Sequence, residues 1–439
     1  MPVTRIDGGG DKGVGAKTYS TNSQTSNLKK LPAASVYLFI EFTASAFFAM
    51  LFVSMSLYEV TVAGLAPLQL VLVGTTLELS AFVFEVPTGI VADVYSRRLS
   101  IIIGYLLMGL GFLVEGFFPA FMPILLAQII WGLGYTFTSG ATQAWITDEI
   151  GEEPANKLFL RATQVGLFAS LIGMGLAAFI GSASSALPIR LGALGVMLVG
   201  LVLTIVMPET GFHPTSKGDR NGWQHMWHIF NQGLAAVRAR PRLVTILGVG
   251  LLYGLYSEGF DRLWVKHLLD TFELPILVGQ TEVAFFALLR AGAMILSIFA
   301  TRFVESRLDT SSPLAVGRAM LGITAVLSAS IVGFALSPAF TLTILLYWII
   351  SMLRNLAIPL YTAWVNQKLD SKVRATVHSM AGQMDAIGQI AGGPSVGLIA
   401  RYVSVIAAIA ASGLLLAPAL LLVGRANAQS MRDGDEILN

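Results

Sequence analysis

Long apolar runs separated by short polar turns recur along the chain, near 34–58, 66–92, 100–119, 121–147, 158–180 and 186–207, and again near 243–263, 281–302, 314–336, 339–365, 376–400 and 402–424. Each run comes close to the ~20 apolar residues that carry a helix across a bilayer. The pattern predicts an all-α membrane protein with twelve transmembrane helices in two six-helix bundles, 34–208 and 242–424. Residues 1–33 are polar, Gly/Ser/Thr-rich and basic, without the apolar core of a secretory signal, and are expected to be a disordered tail. Residues 425–439 form a second tail. The linker at 209–241 starts with turn residues and then places Trp223, Met226, Trp227, Phe230 and Leu234 at helical spacing, which predicts an amphipathic helix lying on the membrane surface.

Charge sets the expected orientation. With the N-terminus inside, the inner loops and tails carry Lys29, Lys30, Arg97, Arg98, Lys157, Arg161, Arg238, Arg240, Arg242, Arg302, Arg307, Lys368, Lys372 and Arg374. The outer loops carry Arg190, Arg262, Lys266 and Arg401. Lysine and arginine concentrate on the cytoplasmic side of membrane proteins, so both termini are expected there, in the inner or plasma membrane.

Composition agrees with the runs. Hydrophobic residues make up 55% and charged residues 12% of the 439, against about 25% charged in soluble domains. There are no cysteines, which removes disulfides and thiol chemistry. The net charge of +2 adds little.

The halves echo each other. "AWITDEIGEEPANKLFLRATQ" joins the fourth run to the fifth, and "AWVNQKLDSKVRATVHS" joins the tenth to the eleventh. Ala-Trp ends one span and Arg-Ala-Thr starts the next at the same topological place. Such parallel repeats build two-bundle transporters.

Between the second and third runs lies "GIVADVYSRR", with Gly89, Asp93, Arg97 and Arg98. It resembles the loop of the major facilitator superfamily, G-x-L-x-D-R/K-x-G-R-R/K, although Ser96 replaces the second glycine and Val94 a basic residue. From the residues alone, Gly89 permits close helix approach and Asp93 suits a helix N-terminus. Arg97 and Arg98 can pair with Asp148. With Arg161 and Arg374 these form a candidate cytoplasmic latch that holds one conformation shut; ordinary inner-side anchors are the plain alternative. A weaker echo, "ATRFVESRLD", carries Glu305 and Arg307.

An ionisable group inside the bilayer costs at least ~2.5–3.5 kcal/mol and so calls for a role. Asp385, in "RATVHSMAGQMDAIGQIAGGPSVG", lies ~16 Å past Arg374 on a helix. Gly388, Gly392, Gly393, Pro394 and Gly397 follow it and favour close, weakened packing. Asp385 is the first candidate for proton coupling, followed by Glu78, Glu85 and Glu41; a static bond from Asp385 to Gln383 or Gln389 is the alternative. Arg290 and Arg354 are intramembrane cations, which call for partners such as Asp385, Glu258 or Asp261, or an anionic substrate. Glu258, Asp261 and Arg262 in "YSEGFDRLW" are expected near the outer end of the seventh span as an outer gate. Glu115 reads as interfacial.

No G-x-x-x-x-G-K-[ST] loop occurs, so ATP is not the expected driver. No metal centre, cofactor or nucleic-acid partner is expected, and the scattered histidines and the missing HExxH and G-x-S-x-G motifs argue against an enzyme. Within the superfamily, "FEVPTGIVADVYSRR", "SGATQAWITDE", "MPETGF" and "RATVHSMAGQMDAIGQIAGGP" are similar to the third drug:proton antiporter family, which includes macrolide and tetracycline exporters. The fifth span departs from that family's G-x-x-x-G-P-x-x-G-G by lacking the proline. The resemblance implies a monomeric, proton-coupled exporter of small amphipathic compounds working by alternating access. An importer or facilitator of a metabolite or organic anion, another coupling ion, and a non-transporting sensor stay open.

Overall fold

A computed structural model describes residues 30–213, 231, 234–235, 237–238, 240–275, 281–367 and 371–438, with side chains at all of these but 371–373, 375 and 433–438. Residues 1–29 of the tail expected at 1–33 and most of the expected surface helix, including Trp223 to Phe230, lie outside the described residues, as does Lys368.

Among the described residues the chain is helical almost throughout. The first half contains α1 (Ala33–Thr61), α2 (Pro67–Val94), α3 (Arg97–Phe117), α4 (Phe121–Thr138), α5 (Ala141–Ile150), α6 (Glu152–Ile180) and α7 (Ala186–Val206). The second contains α8 (Pro241–Thr271), α9 (Glu282–Glu305), α10 (Pro313–Leu336), α11 (Phe340–Asn366), α12 (Ser371–Tyr402), α13 (Val405–Leu416) and α14 (Pro418–Leu438). α4 and α5 together make the fourth span. The break falls at Gly140, whose φ of 69° is a left-handed conformation that glycine adopts without steric cost. α13 and α14 make the last span, and α14 runs on helically to Leu438 through the segment expected as a tail.

Among the described residues, eleven stretches are long and apolar enough to cross a membrane. α12 is not among them although it has 32 residues. It carries His378, Gln383, Asp385 and Gln389 along its middle and packs between α8 and α2. A helix that faces protein and a cavity tolerates polar residues that lipid would not.

Within the first half, α1 packs on α6 and α7, and α3 on α4 and α7. Within the second, α8 meets α12, α13 and α14, while α10 meets α11, α13 and α14. Small residues let these backbones approach. A Cβ at Gly173 would collide with the Ala46 carbonyl, and one at Gly392 with that of Leu255.

The buried side chains form two main clusters, and their membership reveals the conformation. One consists only of first-half residues, among them Tyr37, Ile40, Ile101, Trp145 and Met207. The other joins the second half to Met50, Val53, Leu57, Leu70, Val71 and Val73 of the first. Those contacts come from the later part of α1 and the earlier part of α2, the side of the molecule away from the chain ends. The halves are therefore sealed on the far side. On the terminal side they are parted: a Cβ at Gly89 of α2 or Gly382 of α12 would meet nothing within 4 Å. The close approach expected at Gly89 is absent in this conformation, since a Cβ there would meet nothing within 4 Å.

Candidate functional site

The parted halves expose a cavity of about 410 Å³, built from α8, α11 and α12. Tyr253, Tyr256 and Ser257 reach it from α8, Tyr361 and Thr362 from α11, and His378, Asp385 and Gln389 from α12. Gly254 lets α12 lie against α8 at this level, since a Cβ there would collide with the Asp385 carbonyl oxygen.

Two charged features shape the cavity. Asp261 and Arg354 form a bidentate ion pair, with Nη2 to Oδ2 at 2.7 Å and Nη1 on Oδ1. The Arg354 guanidinium also lies 5.9 Å from the ring centres of Tyr256 and Phe260. Its partner is thus Asp261, one of the three acids open at the sequence level. Asp385 accepts a 2.8 Å hydrogen bond from Gln389 Nε2, the static bond weighed above, yet its carboxyl also lines the cavity.

Glu258, Asp261 and Arg262 stand elsewhere than expected. The seventh span reaches Thr271 rather than ending near 263, so all three lie inside the helix and not at its outer end. Asp261 faces the cavity. Glu258 and Arg262 turn towards α2, where their side chains are 3.5 Å apart and fill the space a Cβ at Gly74 would need. Glu78, one turn along α2, lies in electrostatic reach of Arg262, Asp385 and Asp261. Glu85 accepts from Ser139 Oγ at 3.1 Å beside the Gly140 break. Glu41 is hydrogen-bonded to Tyr37 near the terminal end of α1.

Arg290 takes no carboxylate partner among the described residues, contrary to the internal pairing expected. Its guanidinium sits 5.4 Å over the Trp264 ring, and Trp264 stacks on Tyr347 at 4.6 Å. Its position behind this aromatic pair, away from the cavity lining, explains how a cation is tolerated there.

The loop motif is a clasp within the first half. Arg97 pairs with Asp148 and lies 3.8 Å from Asp93. Arg98 Nη2 donates to the Thr204 carbonyl. The centre of the knot is a residue given no role above: Glu209 of "MPETGF". Its carboxylate accepts from Ser96 Oγ at 2.7 Å and from the Arg98 backbone N–H at 2.9 Å, capping α3. Glu149 accepts from the Thr210 hydroxyl and the Gly211 N–H, both at 2.7 Å, and Trp145 Nε1 donates to the Pro208 carbonyl at 2.8 Å. Each of these contacts joins residues of α2–α7 and the turn after α7, within the first half. Arg161 and Arg374 are exposed. The second half has its own clasp: Arg242 donates to Gln367 Oε1 at 2.7 Å, and Gln367 donates to the Thr310 carbonyl at 3.2 Å. Arg307 instead lies over Phe303, and Glu305 is exposed.

The glycines after Asp385 serve two surfaces. Gly388 and Gly392 press on the backbone of α8 at Leu251 and Leu255. Gly393 and Gly397 face α2, where a Cβ would crowd Thr75 and Leu68. Pro394 sits between these positions inside the helix.

A two-bundle, all-helical membrane fold, sealed between the bundles at one end and with a cavity lined by the second bundle, is the architecture of a transporter. Residues 37–393 match the family described as Major Facilitator Superfamily, and the chain belongs to it. It is 25% identical over 337 residues to the uncharacterized MFS-type transporter YxaM of Bacillus subtilis (strain 168), covering 76% of this chain and 80% of the relative. Solved structures with the same fold include a mutant of the nucleoside transporter NupG, with a TM-score of 0.72 at 15% identity over 91% of this chain and 99% of that one. A bacterial homologue of the human lysosomal transporter Spinster, inward-facing and unoccupied, gives 0.68 at 16% identity over 92% and 98%. A POT family transporter in complex with 5-aminolevulinic acid gives 0.69 at 12% identity over 90% and 96%.

Proposed function

We propose that this transporter is a monomeric, proton-coupled exporter of small amphipathic compounds, with a preference for organic cations. The observation that carries the reading is the charge balance of the cavity. Asp261 and Arg354 neutralise each other, and Asp385 is left as the acid facing the space. Tyr253, Tyr256 and Tyr361 add aromatic faces, which attract cations and accommodate varied apolar shapes. Because Arg354 is engaged by Asp261 and Arg290 lies outside the lining, the cavity supports an organic anion less well. With both termini in the cytoplasm, as the arginine and lysine bias implies, the open end faces the cytoplasm, ready to load an exported substrate. Proton binding to Asp385 would remove the charge that holds a cation, so the two ligands compete for one carboxylate, and that competition is the basis of antiport.

The test uses purified protein in liposomes loaded with a pH-sensitive dye. Under an imposed proton gradient, hydrophobic cations, macrolides and tetracyclines are added in turn. Substrate-induced proton movement in the wild type that Asp385→Asn abolishes is the expected outcome. Movement unchanged in the variant would exclude Asp385 as the coupling group. Silence towards every compound, combined with uptake of a neutral solute such as a nucleoside, would favour the importer.

A further inference from the structure

The far-side seal contains a buried carboxyl pair that the cavity does not use. Glu59, near the end of α1, and Glu115, near the end of α3, are 1% and 0% exposed. Their side chains lie within hydrogen-bonding reach of each other. Yet Glu59 Oε1 and Glu115 Oε1 meet no N–H or O–H donor among the described residues. The other Glu115 oxygen accepts from Gln128 Nε2 at 2.9 Å, and Gln128 Oε1 in turn accepts from Trp131 Nε1 at 2.7 Å. This relay orients the amide so that it donates to Glu115. Two buried carboxyls within hydrogen-bonding reach of each other, each with an oxygen that meets no donor, are satisfied by a shared proton, since like charges so placed cannot both stay ionised.

The surroundings extend the argument across the interface between halves. Arg262 of α8 is in electrostatic reach of both Glu59 and Glu115. It is committed first to Glu258, which is 3% exposed, but at 3.5 Å the pair leaves Arg262 Nε and Glu258 Oε2 without a hydrogen-bond partner. Glu78 of α2 adds another acid within reach of Arg262. On the first-half side, Tyr58 OH donates to the Glu115 carbonyl at 2.9 Å, and Arg190 of α7 is held by the Gly116 carbonyl at 2.8 Å and the Phe117 ring. Three buried carboxyls, Glu59, Glu115 and Glu258, therefore face one shared guanidinium. Fully ionised, they would leave excess negative charge in a buried seam, which is unfavourable.

We infer that Glu59 and Glu115 form a proton-binding site whose occupancy holds the far side of the transporter closed against Arg262 and Glu258. Loss of the proton leaves more carboxylates than one arginine can balance, and parting the halves lets water solvate them. The site is distinct from the cavity acid Asp385, and it depends on neither the substrate nor the direction proposed above.

The experiment needs no substrate. The chain has no cysteines, so Val62→Cys and Glu273→Cys place spin labels on the exposed far-side ends of α1 and α8. Distances are read by pulsed electron resonance in nanodiscs across a pH series. In the otherwise wild-type chain the short distance is expected to dominate at acid pH and the long one at alkaline pH. Glu59→Gln and Glu115→Gln, each neutral at all pH values, are expected to keep the short distance throughout. A parallel infrared titration of the unlabelled protein should show a protonated-carboxyl band at neutral pH that either substitution removes. A pH-independent distance in the wild-type background, or wild-type pH dependence in both glutamine variants, would overturn the inference. So would a carboxyl band that neither substitution alters.

Discussion

Gly74→Ala isolates the packing that seals the far side. The substitution adds one methyl group inside α2, where alanine is the better helix former by about 0.8–1.0 kcal/mol. That gain is the same whichever side is open, because α2 stays helical, so it cancels from the conformational equilibrium. The new Cβ would land on the Glu258 carboxylate and the Arg262 guanidinium. Both belong to the other half, and making room requires two buried charged side chains, 3.5 Å apart, to shift. Overpacking of this kind costs about 1–3 kcal/mol. The cost applies only when the halves are closed here, and it corresponds to about a 5- to 150-fold fall in the closed-to-open ratio. Crosslinking or spin-label distances between far-side positions of α1 and α8 report that population directly. Gly89→Ala is the control: the same change in the same helix, at a position whose Cβ would meet nothing within 4 Å, is expected to leave this arrangement intact. An unchanged or increased closed population in Gly74→Ala would refute the reasoning.

The other expectations concern separate contacts. Asp261→Asn and Arg354→Gln should each destabilise the protein more than the double substitution does. A fully buried pair broken from one side loses ~3–5 kcal/mol and an exposed pair ~0–1; with 39% of Asp261 and 28% of Arg354 exposed, about 1–3 kcal/mol of coupling is expected in a double-mutant cycle on thermal unfolding. Glu209→Ala removes the acceptor for Ser96 and the Arg98 N–H, and should cost about 1–3 kcal/mol, read as a lower unfolding midpoint in detergent. The Asp309 carboxylate, in the loop before α10, accepts from the Ser311 hydroxyl at 2.6 Å and N–H at 2.9 Å, which hold it below the usual carboxylate range. A depressed carboxyl stabilises above its unfolded pKa and loses that contribution as pH falls through its folded pKa. The protection of the Ser311 amide, measured as exchange relative to the intrinsic rate at each pH, should therefore fall at acid pH, and Asp309→Asn should remove that dependence.

The sites differ in how far they could be read from residues alone. Asp385 and Gln389 stand one turn apart on one helix, so their hydrogen bond follows from spacing. Arg97 and Asp148 were legible as opposite charges at the same end of neighbouring spans. Glu209 was within view, in the motif "MPETGF", but a carboxylate that caps a helix more than a hundred residues earlier leaves no periodic trace. Glu59 passed unremarked and Glu115 read as interfacial, because an acid near the end of an apolar run ordinarily reaches water. Glu258 and Arg262 were misplaced because the seventh run reads as ending near 263, just past these charges, whereas the helix continues to Thr271.

By itself, the sequence determined the membrane class, the twofold set of spans, the internal repeat and the terminal-side charge, since these depend on composition and local periodicity under the constraint that lipid imposes on backbone and charge. Tertiary structure alone decided which acid answers Arg354, that Arg290 rests on a ring, that the loop clasp stays within one half, and that Glu59 meets Glu115. The physical reason is that a buried charge is stabilised by what other helices bring within a few ångströms. Those neighbours lie from about 25 to more than a hundred residues away in the chain, and which of them are in reach depends on which side of the transporter is closed.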